Sequence, residues 1–156
     1  MCLNVVLVHP VIPQNTGSIA RLTAATRVCL HLIHPLGFEL SDRYLKRAGL
    51  DYWPEVLLET HQNWEEFLCR TKAREENIWL LTKKAPKAYH TARYSSGDFL
   101  VFGAETTGLP EELHQRYPAQ RLRIPLDNPK IRSLNLANSV AVVLYEARRQ
   151  LGLLGE

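Results

Sequence analysis

The chain has 156 residues, 46% apolar and 22% charged, with a formal net charge of +3, the size and composition of one compact domain and not of a disordered or fibrous chain. No run approaches the roughly 20 uninterrupted apolar residues of a membrane span, and the N-terminus lacks the basic start, apolar core and cleavage site of a signal peptide. The expectation is a single domain over residues 1–156, cytoplasmic, with no membrane partner; its charge permits an anionic partner without requiring one.

The first apolar run, Leu3–Val8, reads as a strand, and Thr16–Thr26 as a helix with Asn15 as its capping candidate. Val28–Ile33 reads as a second strand, and Trp64–Ala73 as a helix capped by Asn63. Ile78–Leu81 and Phe99–Phe102 are short apolar strands; Glu111–Arg116, after Pro110, is a short helix. Leu122–Ile124 is a last strand, and Leu134–Gln150 the longest helix, starting beside Ser133 and ending with Arg148 and Arg149. Continuous Val/Ile/Leu/Phe strands suit burial on both faces, and their alternation with helices predicts an α/β fold: a mostly parallel sheet flanked by helices. In the last helix Val140–Tyr145 is apolar on every side, which predicts covering all round, by its own sheet or by a second subunit as well.

The three cysteines, Cys2, Cys29 and Cys69, form no CxxC pair, so they read as packing residues and no metal is expected. Charge is unevenly placed. Residues 39–81 hold nine acids and six bases; residues 83–93 hold Lys83, Lys84, Lys87 and Arg93 with no acid; residues 121–132 hold Arg121, Arg123, Lys130 and Arg132 against Asp127. Either basic stretch alone is a solvated loop; together they suit an anionic partner, a nucleic acid among them.

Common nucleotide-site signatures are missing. His9-Pro10-Val11-Ile12-Pro13 stands where a GxGxxG would follow the first strand, and Leu109-Pro110 stands where a P-loop needs Lys and Ser/Thr. Three other segments stand out. In Pro13-Gln-Asn15-Thr-Gly17-Ser-Ile-Ala-Arg21, the arginine is the first charged side chain of the chain, set among small and apolar neighbours; it is either surface or a placed anion contact. Phe99–Phe102 runs into Gly103-Ala-Glu105-Thr-Thr-Gly108-Leu109, a strand end where glycine lets backbone approach a ligand. Ile124-Pro125 leads through a loop to Arg132 and to Ser133-Leu-Asn135-Leu-Ala-Asn138-Ser139. There Ser133 is a natural cap, while Asn135 and Asn138 offer more polar groups than a cap requires.

In this order the three segments resemble the three motifs of the SPOUT class of RNA ribose methyltransferases. The matching residues are Asn15, Gly17 and Arg21, then Gly103, Glu105, Gly108 and Leu109, then Ile124, Pro125, Ser133, Asn135 and Ser139. Arg47-Ala-Gly-Leu-Asp-Tyr-Trp53 is similar to a segment of the small bacterial members that methylate the wobble nucleotide (cytidine or uridine 34) of leucine tRNAs. The resemblance implies a C-terminal trefoil knot, an obligate homodimer, and an S-adenosylmethionine-dependent tRNA ribose 2′-O-methyltransferase. It places the cofactor against Leu81, Gly103, Ile124 and Ser133, and the activating role on Arg21. Ser133 and Asn135 would orient the ribose and cofactor, Asn15 would belong to the catalytic set, and Glu105 would fix Arg21 or the knot loops. The RNA, an anticodon stem-loop, would meet Lys83, Lys84, Arg93 and Arg132. Two departures are visible: Val11 where some relatives carry an acid, and a slightly longer Asp127–Arg132 loop. The readings left beside this one are another tRNA or rRNA ribose as target, and a knotted RNA-binding protein without catalysis.

Overall fold

The computed structural model describes residues 3–155; Cys2, read above as a packing residue, lies outside the described residues. The described residues form seven strands and five helices, alternating except for the run β4-β5-β6: β1 (Asn4–Val8), α1 (Pro13–Thr26), β2 (Cys29–Ile33), α2 (Arg43–Gly49), β3 (Leu58–His61), α3 (Trp64–Thr71), β4 (Ile78–Leu81), β5 (Lys87–Ala88), β6 (Phe99–Phe102), α4 (Glu111–Arg116), β7 (Arg121–Arg123) and α5 (Leu136–Gln150). A 3₁₀ turn at Leu50–Glu55 follows α2. Among the described residues no helix is long and apolar enough to cross a membrane.

The strands form one sheet in the order β3-β2-β1-β6-β4-β7-β5, every pair parallel. Alternate residues of each central strand serve opposite cores. On one face Val5, Leu7, Leu30, Leu32, Leu100 and Phe102 pack with Ile19 and Ala20 of α1 and with Val140, Val143, Leu144 and Ala147 of α5. On the other, Val6, Val8, Ile33, Leu80 and Val101 pack with Trp64 and Phe67 of α3 and Leu113 of α4. Parallelism follows from these crossovers, which return each strand in the same direction across a covered face. It also gathers the loops after β1, β4, β6 and β7 at one end of the sheet, where ligands of such sheets bind.

Some boundaries move. Helix α1 starts at Pro13, not Thr16, because proline at the first helical position costs no hydrogen bond; Asn15 is therefore inside the first turn and does not cap it. Helix α5 starts at Leu136, and its cap is Asn135, whose carbonyl oxygen accepts from the amides of Ala137 (2.9 Å) and Asn138 (3.2 Å); Ser133 lies outside the helix. Asn63 does cap α3, accepting from the Glu66 amide at 2.8 Å. Within this chain α5 is buried on one side only: Val142 and Tyr145 are 37% and 44% exposed.

A chain of polar groups crosses the sheet from Asn4 at the start of β1, through His31 within β2, to His61 at the end of β3. Asn4 donates through Nδ2 to the carbonyls of Gly97 and Asp98, so its Oδ1 faces His31 Nε2 at 3.2 Å and that nitrogen carries the hydrogen. His31 Nδ1 then accepts from His61 Nε2 (3.0 Å), and His61 Nδ1 accepts from Arg70 (3.1 Å). Both rings are held neutral. Burial pushes His31 down to about 4, and burial, then the Arg70 charge, lowers His61. Below its ordinary pKa an unfolded histidine takes a proton that the folded one refuses, so stability falls as pH drops from about 6.5 towards 4. The folded state should lose about 2 kcal/mol at His31 between pH 7.5 and 5. In urea unfolding, His31→Gln should be less stable at pH 7.5 and show a shallower decline towards pH 5; an equal slope in both proteins would contradict the neutral pair.

Candidate active site

A cavity of roughly 270 Å³ opens at the ends of β4, β6 and β7, close to the lower limit for small-molecule sites. Its apolar wall includes Leu81, Phe102, Ile124 and Leu126; Thr82, Ser133 and Ser139 add hydroxyls. All four residues expected at the cofactor, Leu81, Gly103, Ile124 and Ser133, line it. Gly103 explains how the wall is made. A Cβ there would lie 2.2 Å from Gly108 C and from Leu109 N, because the loop folds back on the strand end. Ala104 and Gly108 exchange two backbone hydrogen bonds (3.2 and 2.9 Å), and Gly108 has φ of 71°, a left-handed conformation that suits glycine.

Glu105 leaves that loop and reaches the start of α1. Its two oxygens accept from the amides of Val11 and Ile12, both at 2.9 Å, and from Asn15 Nδ2 at 3.3 Å. A helix start leaves amides unpaired and carries partial positive charge, and α1 has no side-chain cap of its own, so a carboxylate from elsewhere in the fold serves that end. Glu105 thus holds the α1 entrance and not Arg21, and Val11 contributes through its backbone, which its side-chain identity does not alter. Asn15 Oδ1 in turn accepts from Asn135 Nδ2 at 3.0 Å, and Asn135 caps α5. One hydrogen-bonded chain therefore joins the three sequence segments beside the cavity.

Lys83, Lys84 and Arg132 stand at the cavity wall with exposed side chains, whereas Arg93 is exposed and lies outside it. Arg121 and Arg123 of the second basic stretch are structural: they donate to the carbonyls of Lys84, Ala85 and Pro86 and fix the loop after β4. Arg21 is also outside the cavity. It is exposed on α1, with its guanidinium carbon 5.2 Å from the Tyr52 ring centroid.

The structure adds two wall residues that sequence reasoning passed over. His114 is buried, with Nε2 2.8 Å from Thr82 Oγ1; its Nδ1 has no hydrogen-bond partner among the described residues and lies 3.7 Å from a Glu111 carboxylate oxygen. In the sequence His114 is one polar residue of a short charged helix, and nothing there points it inward; Thr82 was signalled only by its place directly after a strand. Away from the cavity, ligand atoms of Cys29, His31 and Glu59 lie within 4.8 Å of one another. They do not fit a metal as arranged, because the His31 Nδ1 lone pair already receives the His61 hydrogen.

The profile of the SpoU rRNA methylase family matches residues 2–145. The chain belongs to that family. This SpoU methylase is 47% identical over 153 residues to a tRNA (cytidine(34)-2′-O)-methyltransferase of Burkholderia cenocepacia, covering 97% of each chain. It is 46% identical over 154 residues to the enzyme of that name in Escherichia coli, covering 98% of this chain and 96% of that one. Its fold superposes with a TM-score of 0.90, at 47% identity and 97% coverage of both chains, on a solved structure described as giving insight into 2-OH methylation of C/U34 on tRNA. It also matches an AdoMet-bound rRNA methyltransferase of Sinorhizobium meliloti with a TM-score of 0.84 and 26% identity, over 96% of this chain and 57% of that one. The SpoU methylase fold is thus the parallel α/β sheet expected from the sequence.

Proposed function

We propose that the protein transfers the methyl group of S-adenosylmethionine to the ribose 2′-hydroxyl of the wobble nucleotide, cytidine or uridine 34, of tRNA, with leucine isoacceptors as substrates in the cytoplasm. The observation that carries the reading is that the second and third segments line one cavity while Asn15 of the first is hydrogen-bonded to both beside it, in a chain nearly half identical over almost its whole length to enzymes named for that reaction.

When bound, S-adenosylmethionine supplies an electrophilic sulfonium methyl group. Backbone at Leu81, Gly103, Ile124 and Ser133 would hold it, with the Gly103 loop allowing close approach. A ribose hydroxyl is a weak nucleophile, so the protein's task is alignment and help with the departing proton. Asn15, Asn135 and Ser133 orient the sugar. Arg21 cannot serve as a base, because a guanidinium stays protonated; it pins a neighbouring phosphate and stabilises the charge developing on the ribose oxygen, while the proton leaves to phosphate or water. Since Arg21 stands outside the cavity of its own chain, we read the site as shared, with a second copy of the chain delivering Arg21. Exposed Val142 and Tyr145 on α5 give such a homodimer apolar surface to bury. The order β4-β7-β5, with β7 between earlier strands, supports the trefoil threading expected of this class.

The test is transfer of labelled methyl from S-adenosylmethionine to tRNA lacking the modification, with the labelled nucleotide mapped. Label at nucleotide 34 is expected. Label on another ribose moves the target, and cofactor-independent RNA binding with no transfer makes the protein a binding module. If Lys83, Lys84, Arg93 and Arg132 meet phosphates, log affinity for tRNA should fall with log salt with a slope near −3, and Lys84→Ala should make it shallower by about 1. An unchanged slope in that variant removes Lys84 from the interface.

A further inference from the structure

The segment 43–55 has no part in the cavity, yet it is built rigidly against α1. Asp42 starts α2 by accepting from the amides of Tyr44 (2.7 Å) and Leu45 (3.3 Å). Trp53 Nε1 donates to the Lys46 carbonyl at 3.2 Å and closes the following turn back onto the helix. Gly17 sets the distance between the helices: a Cβ on it would lie 2.4 Å from Ala48 Cβ and 2.5 Å from the Leu45 carbonyl oxygen. The close approach is therefore open to glycine alone, and it brings Tyr52 over the α1 surface one turn beyond Gly17, against the Arg21 guanidinium.

We infer that Tyr52 is a positioning residue for methyl transfer, holding the Arg21 guanidinium by its ring face in the orientation the reaction needs. The inference rests on the role given to Arg21 above. An arginine side chain left to solvent samples many rotamers, and fixing it costs entropy at the moment of reaction. A carboxylate partner would fix it too, but would occupy its N–H donors and cancel its charge. Among the described side chains no carboxylate forms an ion pair with Arg21. A ring contacts the guanidinium face and leaves the in-plane donors free for a phosphate or a developing alkoxide. Tyr52 is 43% exposed, so truncating it removes little buried core packing.

The test compares Tyr52→Leu and Tyr52→Phe in the full-length protein, each in the presence and absence of Arg21→Lys, a background that keeps the charge and residual turnover. Tyr52→Leu should lower kcat by about 3- to 30-fold with the KM for S-adenosylmethionine and the thermal midpoint unchanged. Tyr52→Phe, which keeps the ring, should stay within about twofold of the parent. In the Arg21→Lys background the Leu substitution should cost several-fold less. An unchanged kcat in Tyr52→Leu overturns the inference, as does equal loss in the Phe and Leu variants. A Leu effect undiminished in the Arg21→Lys background also overturns it, since Tyr52 then acts on RNA or fold directly. Full activity of Arg21→Lys and Arg21→Ala alone marks the separate failure of the Arg21 role.

Discussion

Gly103→Ala should deform the cavity at the ends of β4, β6 and β7 and lower the thermal midpoint by about 6–12 °C, the shift expected of a loss near 3 kcal/mol in a chain of this length. The added Cβ would meet Gly108 C and Leu109 N at 2.2 Å and the Gly108 carbonyl oxygen at 2.6 Å. Those are backbone atoms, so no rotamer change relieves the overlap. The loop has little room to give, because Ala104 and Gly108 are tied by two hydrogen bonds and Leu109 is anchored in the core beside Leu113. Either the end of β6 moves or the turn opens. Each outcome displaces the cavity wall, and opening the turn also displaces Glu105, whose three hydrogen bonds hold the α1 entrance. Calorimetry should show cofactor affinity reduced by at least 100-fold, and thermal unfolding should show the lower midpoint. Ser133→Ala, at an exposed position of the same cavity, should leave the midpoint in place. Native affinity in Gly103→Ala would mean that the loop does not form the cofactor wall.

The central sheet was legible because strands buried on both faces are almost entirely apolar: β4 and β6 are wholly so, and β1 and β2 are apart from Asn4 and His31. Strand β3, Leu-Glu-Thr-His, was not: it pairs only with β2 at the edge of the sheet, so its polar residues carry no pattern of burial. Helix α2 was missed for a related reason, since it is short and places Arg43, Lys46 and Arg47 in solvent. In the site, residue identity pointed to Asn15, Glu105 and Asn135, but their partners depend on loops that meet only in the fold. Two asparagines read as capping or sugar-binding groups turn out to be bonded to each other, 120 positions apart. Glu105 could be read as a partner for the nearest unexplained cation, Arg21; three-dimensional placement instead puts it against amides, which a sequence does not display.

Arg21→Ala should reduce methyl transfer to tRNA by at least 100- to 1000-fold, the range for removal of a group that stabilises transition-state charge, while S-adenosylmethionine binds as before. The separation follows from position: Arg21 is exposed on α1 and lines no part of the cavity, so truncating it leaves the cofactor wall intact. Arg21→Lys should recover only part of the loss, because an ammonium cannot present the flat, forked donor set that a ring can hold by its face. Mixing experiments then decide which chain supplies the arginine. Ser133→Trp, at an exposed cavity position, should fill the cofactor space and be inactive alone. When it is refolded together with Arg21→Ala, half of the dimers at random assortment pair one of each, and each such dimer keeps one cavity facing one Arg21 from the other chain. Activity should return to about a quarter of the parent value, the statistical share of intact shared sites in a two-fold dimer. If Arg21 served the cavity of its own chain, every site in the mixture would lack either the arginine or the space for the cofactor, and no activity would return.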